Sequence, residues 1–190
     1  MNSNMTAQIP PVSFVSSLTL ENKQKLDIIS WNVQDIKNQT LGTKTSVKDF
    51  TEIISKGVIV CLQETKEEIH IENYSCFNSN RSDSRSGGVC TAIHKSINAT
   101  RITEIPCSSP DVHALKIPRS LINYNKDIII INVYDSQTHS SYKKRKQLEG
   151  DYEQTLECVM EVMMKQTDCE IVLAGDFNAR TGNHNNIIKP

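Results

Sequence analysis

Short apolar runs alternate with amphipathic stretches along most of the chain. Apolar and β-branched runs predict six strands, at residues 26–31, 58–63, 88–94, 112–117, 128–134 and 170–175. Apolar residues at helical spacing predict a short helix over residues 46–56 and a long helix over residues 142–165. The long helix carries residues that we expect to pack in the core: Leu148, Tyr152, Leu156, Val159, Met160, Met163 and Met164. Strands separated by helices and hairpins indicate an α/β protein with a mixed sheet.

The N-terminal segment differs from the rest of the chain. Residues 1–25 contain Pro10-Pro11 and many Ser, Thr and Asn residues, which predicts a flexible leader before a domain over residues 26–190. This segment lacks the basic start and the uninterrupted apolar stretch of a signal peptide. The apolar run at residues 128–133 is far too short to cross a bilayer. We therefore expect an intracellular protein, nuclear or cytoplasmic, with no membrane partner, and the oligomeric state stays open.

The composition fits one globular domain, because 37% of the 190 residues are hydrophobic and 23% are charged. The formal net charge is −1 at pH 7, so attraction to nucleic acid would have to come from local patches or a bound metal. None of the six cysteines has CxxC spacing or a zinc-like pattern with histidine. We interpret them as small, buried, reduced residues: Cys61, Cys76, Cys90, Cys107, Cys158 and Cys169.

Polar residues stand at the ends of four of the predicted strands. They are Asn32, Glu64, Asn132, Tyr134, Asp176 and Asn178. Each of them alone has a plain structural explanation, such as a turn or a packed ring. If the strands are neighbours, however, two carboxylates and several neutral hydrogen-bonding groups meet at one sheet edge. Such oxygens are the ligands that Mg²⁺ prefers, and a bound ion can hold a phosphate.

Five segments of the chain resemble the ordered signatures of one superfamily, the endonuclease/exonuclease/phosphatase superfamily of the pancreatic-deoxyribonuclease type. They are Ser-Trp-Asn-Val (30–33), Leu-Gln-Glu-Thr-Lys (62–66), Ser-Gly-Gly-Val (86–89), Ile-Asn-Val-Tyr (131–134) and Ala-Gly-Asp-Phe-Asn-Ala-Arg (174–180). The resemblance covers about residues 26–182. Residues 85–89 and 175–182 look most like non-LTR retrotransposon endonucleases.

The resemblance implies a fold and a role for most of the strand-end residues. The fold would be a four-layer α/β sandwich, with two packed sheets and helices outside. Glu64 would be the principal metal ligand with Asn32 beside it, and the ion would be Mg²⁺, with Mn²⁺ as an alternative. Asp176 would orient or deprotonate the attacking water. Asn178 would hold a phosphate oxygen and Tyr134 would support the phosphate. The implied catalytic residues are therefore Glu64, Tyr134, Asp176 and Asn178.

Two basic features bear on the substrate. Arg81 and Arg85 flank a serine-rich loop, and either could contact phosphates, so Arg85 is included among the candidate phosphate-binding residues. The run Lys-Lys-Arg-Lys at residues 143–146 opens the long predicted helix. For this run a solvated helix face is a better interpretation than a DNA contact.

The chain departs from the superfamily pattern at two places. Gln34 stands where many DNA-cleaving relatives have Asp or Asn, and neighbouring Asp35 would face another side. The superfamily also completes its site with a late Ser-Asp-His segment, which this sequence of 190 residues lacks. His184 follows the last strand too soon, and the other histidines match no catalytic block, so we interpret all five as solvated or hydrogen-bonded imidazoles. We expect a second sheet that is largely missing, a partly uncovered first sheet and a fragment with little activity alone.

Three functions remain open on this basis. The first is a metal-dependent phosphodiester hydrolase, specifically a DNA endonuclease of the retrotransposon type. The second is a phosphatase or phosphodiesterase of the same superfamily that acts on a small or lipid phosphate ester. The third is a non-catalytic remnant or interaction module.

Overall fold

The structure is a computed structural model that describes residues 14–19, 25–34, 37–38, 42–43, 48–81, 87–135 and 151–178. In chain order its elements are β1 (Phe14–Thr19), β2 (Lys25–Asn32), β3 (Lys37–Asn38), β4 (Gly42–Thr43), α1 (Lys48–Ile54), β5 (Ile59–Gln63), β6 (Tyr74–Ser79), β7 (Val89–His94), a 3₁₀ turn (Ala99–Arg101), β8 (Thr103–Ile105), β9 (Val112–Ile117), α2 (Arg119–Ile122), β10 (Ile128–Tyr134), α3 (Asp151–Lys165) and β11 (Glu170–Asp176). All six strands predicted from the apolar runs are present as β2, β5, β7, β9, β10 and β11.

The strands form two mixed sheets and a small ribbon. The first sheet has the order β1-β2-β5-β7-β6, the second has the order β11-β10-β9-β8, and β3 pairs with β4. Within the sheets β2 and β5 run parallel, as do β10 and β11, and the other neighbours are antiparallel. The carboxyl ends of the two parallel pairs are the places where a site can be assembled.

The two sheets pack face to face, with one helix outside each. Ile28 and Ile59 of the first sheet belong to the same buried cluster as Leu115 and Ile130 of the second. On the outer face of the first sheet, the ring of Phe50 in α1 stacks on Trp31 with centroids 5.3 Å apart. On the outer face of the second sheet, α3 contributes the buried residues Cys158, Val159 and Val162. The expected four-layer α/β sandwich is therefore confirmed.

Two details of the expected fold are wrong. The second sheet is not largely missing, because four of its strands are described and they cover the inner face of the first sheet. Phe14–Thr19 lies within the predicted flexible leader but forms β1, which pairs with residues 25–30 of β2 in antiparallel register. The serines within β1 break its apolar run, so its pairing with β2 was not visible as a strand signal. The domain boundary near residue 26 stays a prediction.

The orientation of α3 also differs from the expectation. Its buried face consists of Thr155, Cys158, Val159 and Val162, which follow helical spacing. Leu156, Met160, Met163 and Met164 are exposed instead, with 74% of Met164 accessible to solvent. Apolar residues occur on more than one side of this helix, and packing on the sheet selects the side with the smaller residues. Leu148 lies outside the described residues.

The cysteines are all unpaired, and three of them are fully buried, namely Cys61, Cys90 and Cys158. Burial raises the pKa of the Cys61 thiol to about 12. No helix within the described part of the chain is long and apolar enough to span a membrane.

Gly175 supports a testable prediction about the parallel pair β10 and β11. A Cβ added at Gly175 would lie 2.1 Å from the carbonyl oxygen of Val133, and its φ of +153° is rare for residues with side chains. We expect Gly175→Ala to lower the free energy of unfolding by about 1–3 kcal/mol, measured by urea denaturation. Gly57→Ala is the control, since its added Cβ would meet the movable end of the Ile29 side chain at 2.8 Å. Equal losses in the two variants would contradict this account.

Candidate active site

The candidate site lies where the carboxyl ends of the two parallel strand pairs meet across the sandwich. Asn32 ends β2 and Glu64 follows β5, so these two side chains come from the first sheet. Tyr134 ends β10 and Asp176 ends β11, directly opposite each other in the parallel register of the second sheet. The site is therefore built from two halves, one on each sheet.

Asn32 connects the two carboxylates of the site. Its Nδ2 donates one hydrogen bond to Glu64 Oε1 at 3.0 Å and another to Asp176 Oδ2 at 2.6 Å. Its Oδ1 accepts from the backbone N–H of Gln34 at 3.0 Å. Both carboxylates can only accept when ionised, so the amide nitrogen has to face them and the orientation of Asn32 is fixed.

Glu64 keeps one carboxylate oxygen available. Its Oε1 accepts from Asn32 and also from Tyr134 Oη at 2.9 Å, while none of the described residues donates a hydrogen bond to Oε2. Burial, and then the negative charge of Glu64, raises the pKa of the Tyr134 phenol, so this group stays protonated and acts as a donor. The backbone of Glu64 has a φ of +54°, a left-handed conformation that turns the chain at the end of β5.

Asp176 is held on both of its oxygens. Oδ2 accepts from Asn32, and Oδ1 accepts from the backbone N–H of Asn178 at 2.9 Å. Asn178 has a φ of +45°, and its Nδ2 donates to the carbonyl oxygen of Asp135 at 2.6 Å. The N–H of Asp135 in turn donates to the carbonyl oxygen of Asp176 at 2.8 Å. The segment after β11 is thus fixed against the segment after β10.

A buried ion pair supports Tyr134 from below. Arg81 donates from Nε to both carboxylate oxygens of Asp111, at 2.8 and 2.9 Å, and also from Nη2. Its Cζ lies 5.8 Å from the centre of the Tyr134 ring, a cation–π arrangement. Burial raises the pKa of Asp111, and Arg81 opposes this shift. A Cβ added at Gly87 would lie 2.7 Å from Arg81 Cζ, which accounts for glycine at this position.

The structure corrects the sequence-based interpretation of Arg81 and Asn132, and it does not describe Arg85. Arg81 is buried and occupied by Asp111, so the idea that its side chain contacts phosphates is wrong. Asn132 is fully buried below the site and does not border it. Arg85 lies outside the described residues, so its phosphate-binding role stays a prediction.

The described histidines fit the interpretation given from sequence. His113 lies between Thr91 Oγ1 and Glu104 Oε2, each at 3.2 Å from a ring nitrogen, and burial lowers its pKa. His94 pairs with Ser96 Oγ at 2.9 Å, and His70 is exposed. His139 and His184 lie outside the described residues.

The donor set suits a hard divalent cation that keeps part of its water shell. Glu64 Oε2 receives no hydrogen bond from the described residues and can bind a cation. Asp176 supplies a second carboxylate, which is joined to Glu64 through the side-chain amide of Asn32. Within the described ranges no group of three His, Cys, Asp or Glu residues could hold an ion. Mg²⁺ commonly binds through one or two carboxylates, with waters and phosphate oxygens as its other ligands. The Oδ1 of Asn32 already accepts from Gln34, and its part in metal binding stays a prediction.

Comparison with known proteins identifies the class. The model of the Endonuclease/Exonuclease/phosphatase family matches residues 29–186, so the chain belongs to this family. Among curated proteins there is no significant match.

Solved structures agree with this fold. The AP endonuclease LMAP from Leishmania major is 16% identical with a TM-score of 0.61, and the match covers 80% of this chain and 55% of that one. The Xenopus laevis APE2 catalytic domain is 18% identical with a TM-score of 0.57, and the match covers 80% of this chain and 58% of that one. An AP endonuclease from Archaeoglobus fulgidus is 20% identical with a TM-score of 0.52, and the match covers 82% of this chain and 58% of that one. This chain therefore spans a little over half the length of these structures.

The position of Asn32 between two carboxylates gives a first prediction for the site. Asn32→Asp replaces two donated hydrogen bonds by repulsion, whereas Asn32→Leu only removes them. At neutral pH and without metal we expect Asn32→Asp to be less stable than Asn32→Leu by about 1–3 kcal/mol. The difference should shrink when Mg²⁺ is added. Urea denaturation with and without Mg²⁺ measures it, and equal stability without metal would count against the bridge.

The raised pKa of Tyr134 gives a second prediction. The folded state keeps the phenol protonated, so its contribution to stability is complete below the usual pKa of about 10 and is lost above it, because the unfolded phenol ionises first. We expect the free energy of unfolding to fall more steeply with pH above this value in the wild type than in Tyr134→Phe. Parallel curves for the two proteins would show that Tyr134 titrates normally.

Proposed function

We propose that this domain is a metal-dependent phosphodiester hydrolase that cleaves DNA as an endonuclease. The observation that carries the proposal is the Asn32 bridge, which holds Glu64 beside Asp176, while no described residue donates to the second oxygen of Glu64. Family membership supports a hydrolase, and similar solved structures include AP endonucleases. The retrotransposon type is a finer part of the proposal, and it is supported by the resemblance at residues 85–89 and 175–182.

The residues divide the chemistry between them. A divalent cation bound at Glu64 would stabilise the negative charge that develops on phosphate oxygens during hydrolysis. Asp176, fixed by Asn32 and the N–H of Asn178, would orient the attacking water or take up its proton. Asn178 donates one amide hydrogen to Asp135, and its second amide hydrogen would bind a phosphate oxygen.

We propose a more restricted role for Tyr134 than the resemblance implies. Its single hydroxyl hydrogen is donated to Glu64 Oε1 at 2.9 Å. A phosphate could receive that hydrogen only if Tyr134 released Glu64. We therefore assign Tyr134 primarily to orienting Glu64, with phosphate contact by its hydroxyl after rearrangement as the secondary role.

Nicking of supercoiled plasmid in Mg²⁺ tests the function. We expect Glu64→Gln to lower the nicking rate by about 100-fold or more, because the replaced oxygen would bear the metal and the phosphate charge would lose its stabilisation. Glu68→Gln is the matched control, since Glu68 is an exposed carboxylate four residues further along the chain. Chelation by EDTA should abolish activity in both the wild type and the control.

Several results would contradict the proposal. Nicking that persists in EDTA, or that is equal in Glu64→Gln and the wild type, would exclude this site as its source. Hydrolysis of a small phosphate ester or a phosphoinositide in place of plasmid would favour the phosphatase alternative. The sequence-based expectation of low activity stays a prediction, and the same assay measures it.

A further inference from the structure

A layer of buried amides lies directly below the candidate site. Asn132 precedes Tyr134 by two residues on the inner face of β10, and Gln63 immediately precedes Glu64 at the end of β5. Both side chains are completely buried, with 0% exposure. Gln63 Nε2 donates to Asn132 Oδ1 at 2.8 Å, so the two residues join the two sheets.

The direction of these hydrogen bonds is fixed by the backbone. Asn132 Nδ2 donates to the carbonyl oxygens of Leu62 at 3.2 Å and Cys90 at 3.0 Å, which can only accept. The oxygen of Asn132 must therefore face Gln63, whose Nε2 also lies 3.2 Å from Ser30 Oγ and 3.1 Å from the carbonyl oxygen of Cys61. One side chain on β10 thus connects to β5 and β7, and through Gln63 to β2.

This polar connection differs from the apolar part of the interface between the sheets. Below it the facing residues are apolar, for example Ile28 and Ile59 against Ile128 and Ile130. Apolar packing resists separation of the sheets, but its energy depends weakly on direction, whereas a buried hydrogen bond depends strongly on distance and angle. The amide layer is therefore able to fix how one sheet lies over the other, together with the hydrogen bond between Thr91 Oγ1 and His113 Nδ1.

The site above this layer requires such a constraint. Two hydrogen bonds cross between its halves, from Asn32 to Asp176 at 2.6 Å and from Tyr134 to Glu64 at 2.9 Å. A displacement of about 1 Å between the sheets would break both of them. Gln63 Oε1 is buried and accepts no hydrogen bond from the described residues.

We propose that Asn132 and Gln63 are positioning residues that set the separation and register of the two halves of the site. They touch neither of the carboxylates and act through the backbone that carries Glu64 and Tyr134. As far as metal binding and turnover are concerned, this inference rests on the proposed function. The geometric part of it can be measured without metal or substrate.

Asn132→Leu tests the inference, with two readouts on the full chain. The side-chain amide of Asn32 gives the first, because its nitrogen donates to carboxylates from different sheets. In the wild type its ¹H–¹⁵N NMR signal should therefore be shifted from that of a solvated amide. We expect this signal to move towards that of a solvated amide in the variant. The second readout is the dissociation constant for Mn²⁺ by calorimetry, which should rise by about 10-fold or more, as for loss of supporting contacts around a metal site.

The control is Ile128→Ala, which removes packing at the far end of the same strand. It should lower stability, while the Asn32 signal and the Mn²⁺ affinity stay close to those of the wild type. Gln63→Leu/Asn132→Leu gives a further comparison, because removal of both partners leaves fewer unpaired buried groups. This double variant should regain stability relative to Asn132→Leu but should not regain the Asn32 signal. If Asn132→Leu does not fold, the smaller change Asn132→Ser takes its place.

The outcomes separate this inference from the proposed function. An unchanged Asn32 signal in Asn132→Leu would overturn the inference, and so would an equal change in Ile128→Ala. If the wild type binds no Mn²⁺ but its shifted Asn32 signal is lost only when the amide layer is altered, the proposed function fails while the positioning role stands.

Discussion

The hydrogen bonds from the amide of Asn32 to two carboxylates organise the candidate site. Glu64 and Asp176 come from different sheets, and without a donor between them their charges would repel at short range. Because the amide is neutral, it joins the two acids without cancelling the negative charge that attracts a cation. Tyr134 completes the arrangement by donating to the same oxygen of Glu64, which leaves the other oxygen available.

This arrangement depends on unusual backbone at the strand ends. Gln34, Glu64 and Asn178 all have positive φ values, of 50°, 54° and 45°. Such conformations cost free energy in residues with side chains, and they persist where surrounding contacts fix them. Here the fixing contacts include the bond from the N–H of Gln34 to Asn32 and the bond from the N–H of Asn178 to Asp176. The strain lies where the chain turns its polar groups into the site.

The strands with continuous apolar runs could be predicted because burial on both faces leaves a signal in every residue. β10, with the sequence Ile-Ile-Ile-Ile-Asn-Val-Tyr, is the clearest case, since all seven of its residues are buried. β1 and β6 contain serine and asparagine residues and lie at the two edges of the first sheet. An edge strand pairs with another strand along one edge only, so polar residues are tolerated in it. Their hydrogen bonds come from pairing with the next strand, β2 or β7, which the pattern within β1 or β6 does not encode.

The sequence by itself determined which polar residues end the strands, because the abrupt change from apolar to polar is a local property. Only the tertiary structure decided what each side chain does. In the sequence Asn132 was one of the polar strand-end residues and Arg81 a possible phosphate contact. Both are buried, Asn132 between the sheets and Arg81 against Asp111. Met164 was expected in the core and is exposed. In each case the surroundings of the side chain are formed by elements far apart in the chain. The packing of these elements decides whether the side chain is buried or exposed, and the local sequence pattern does not.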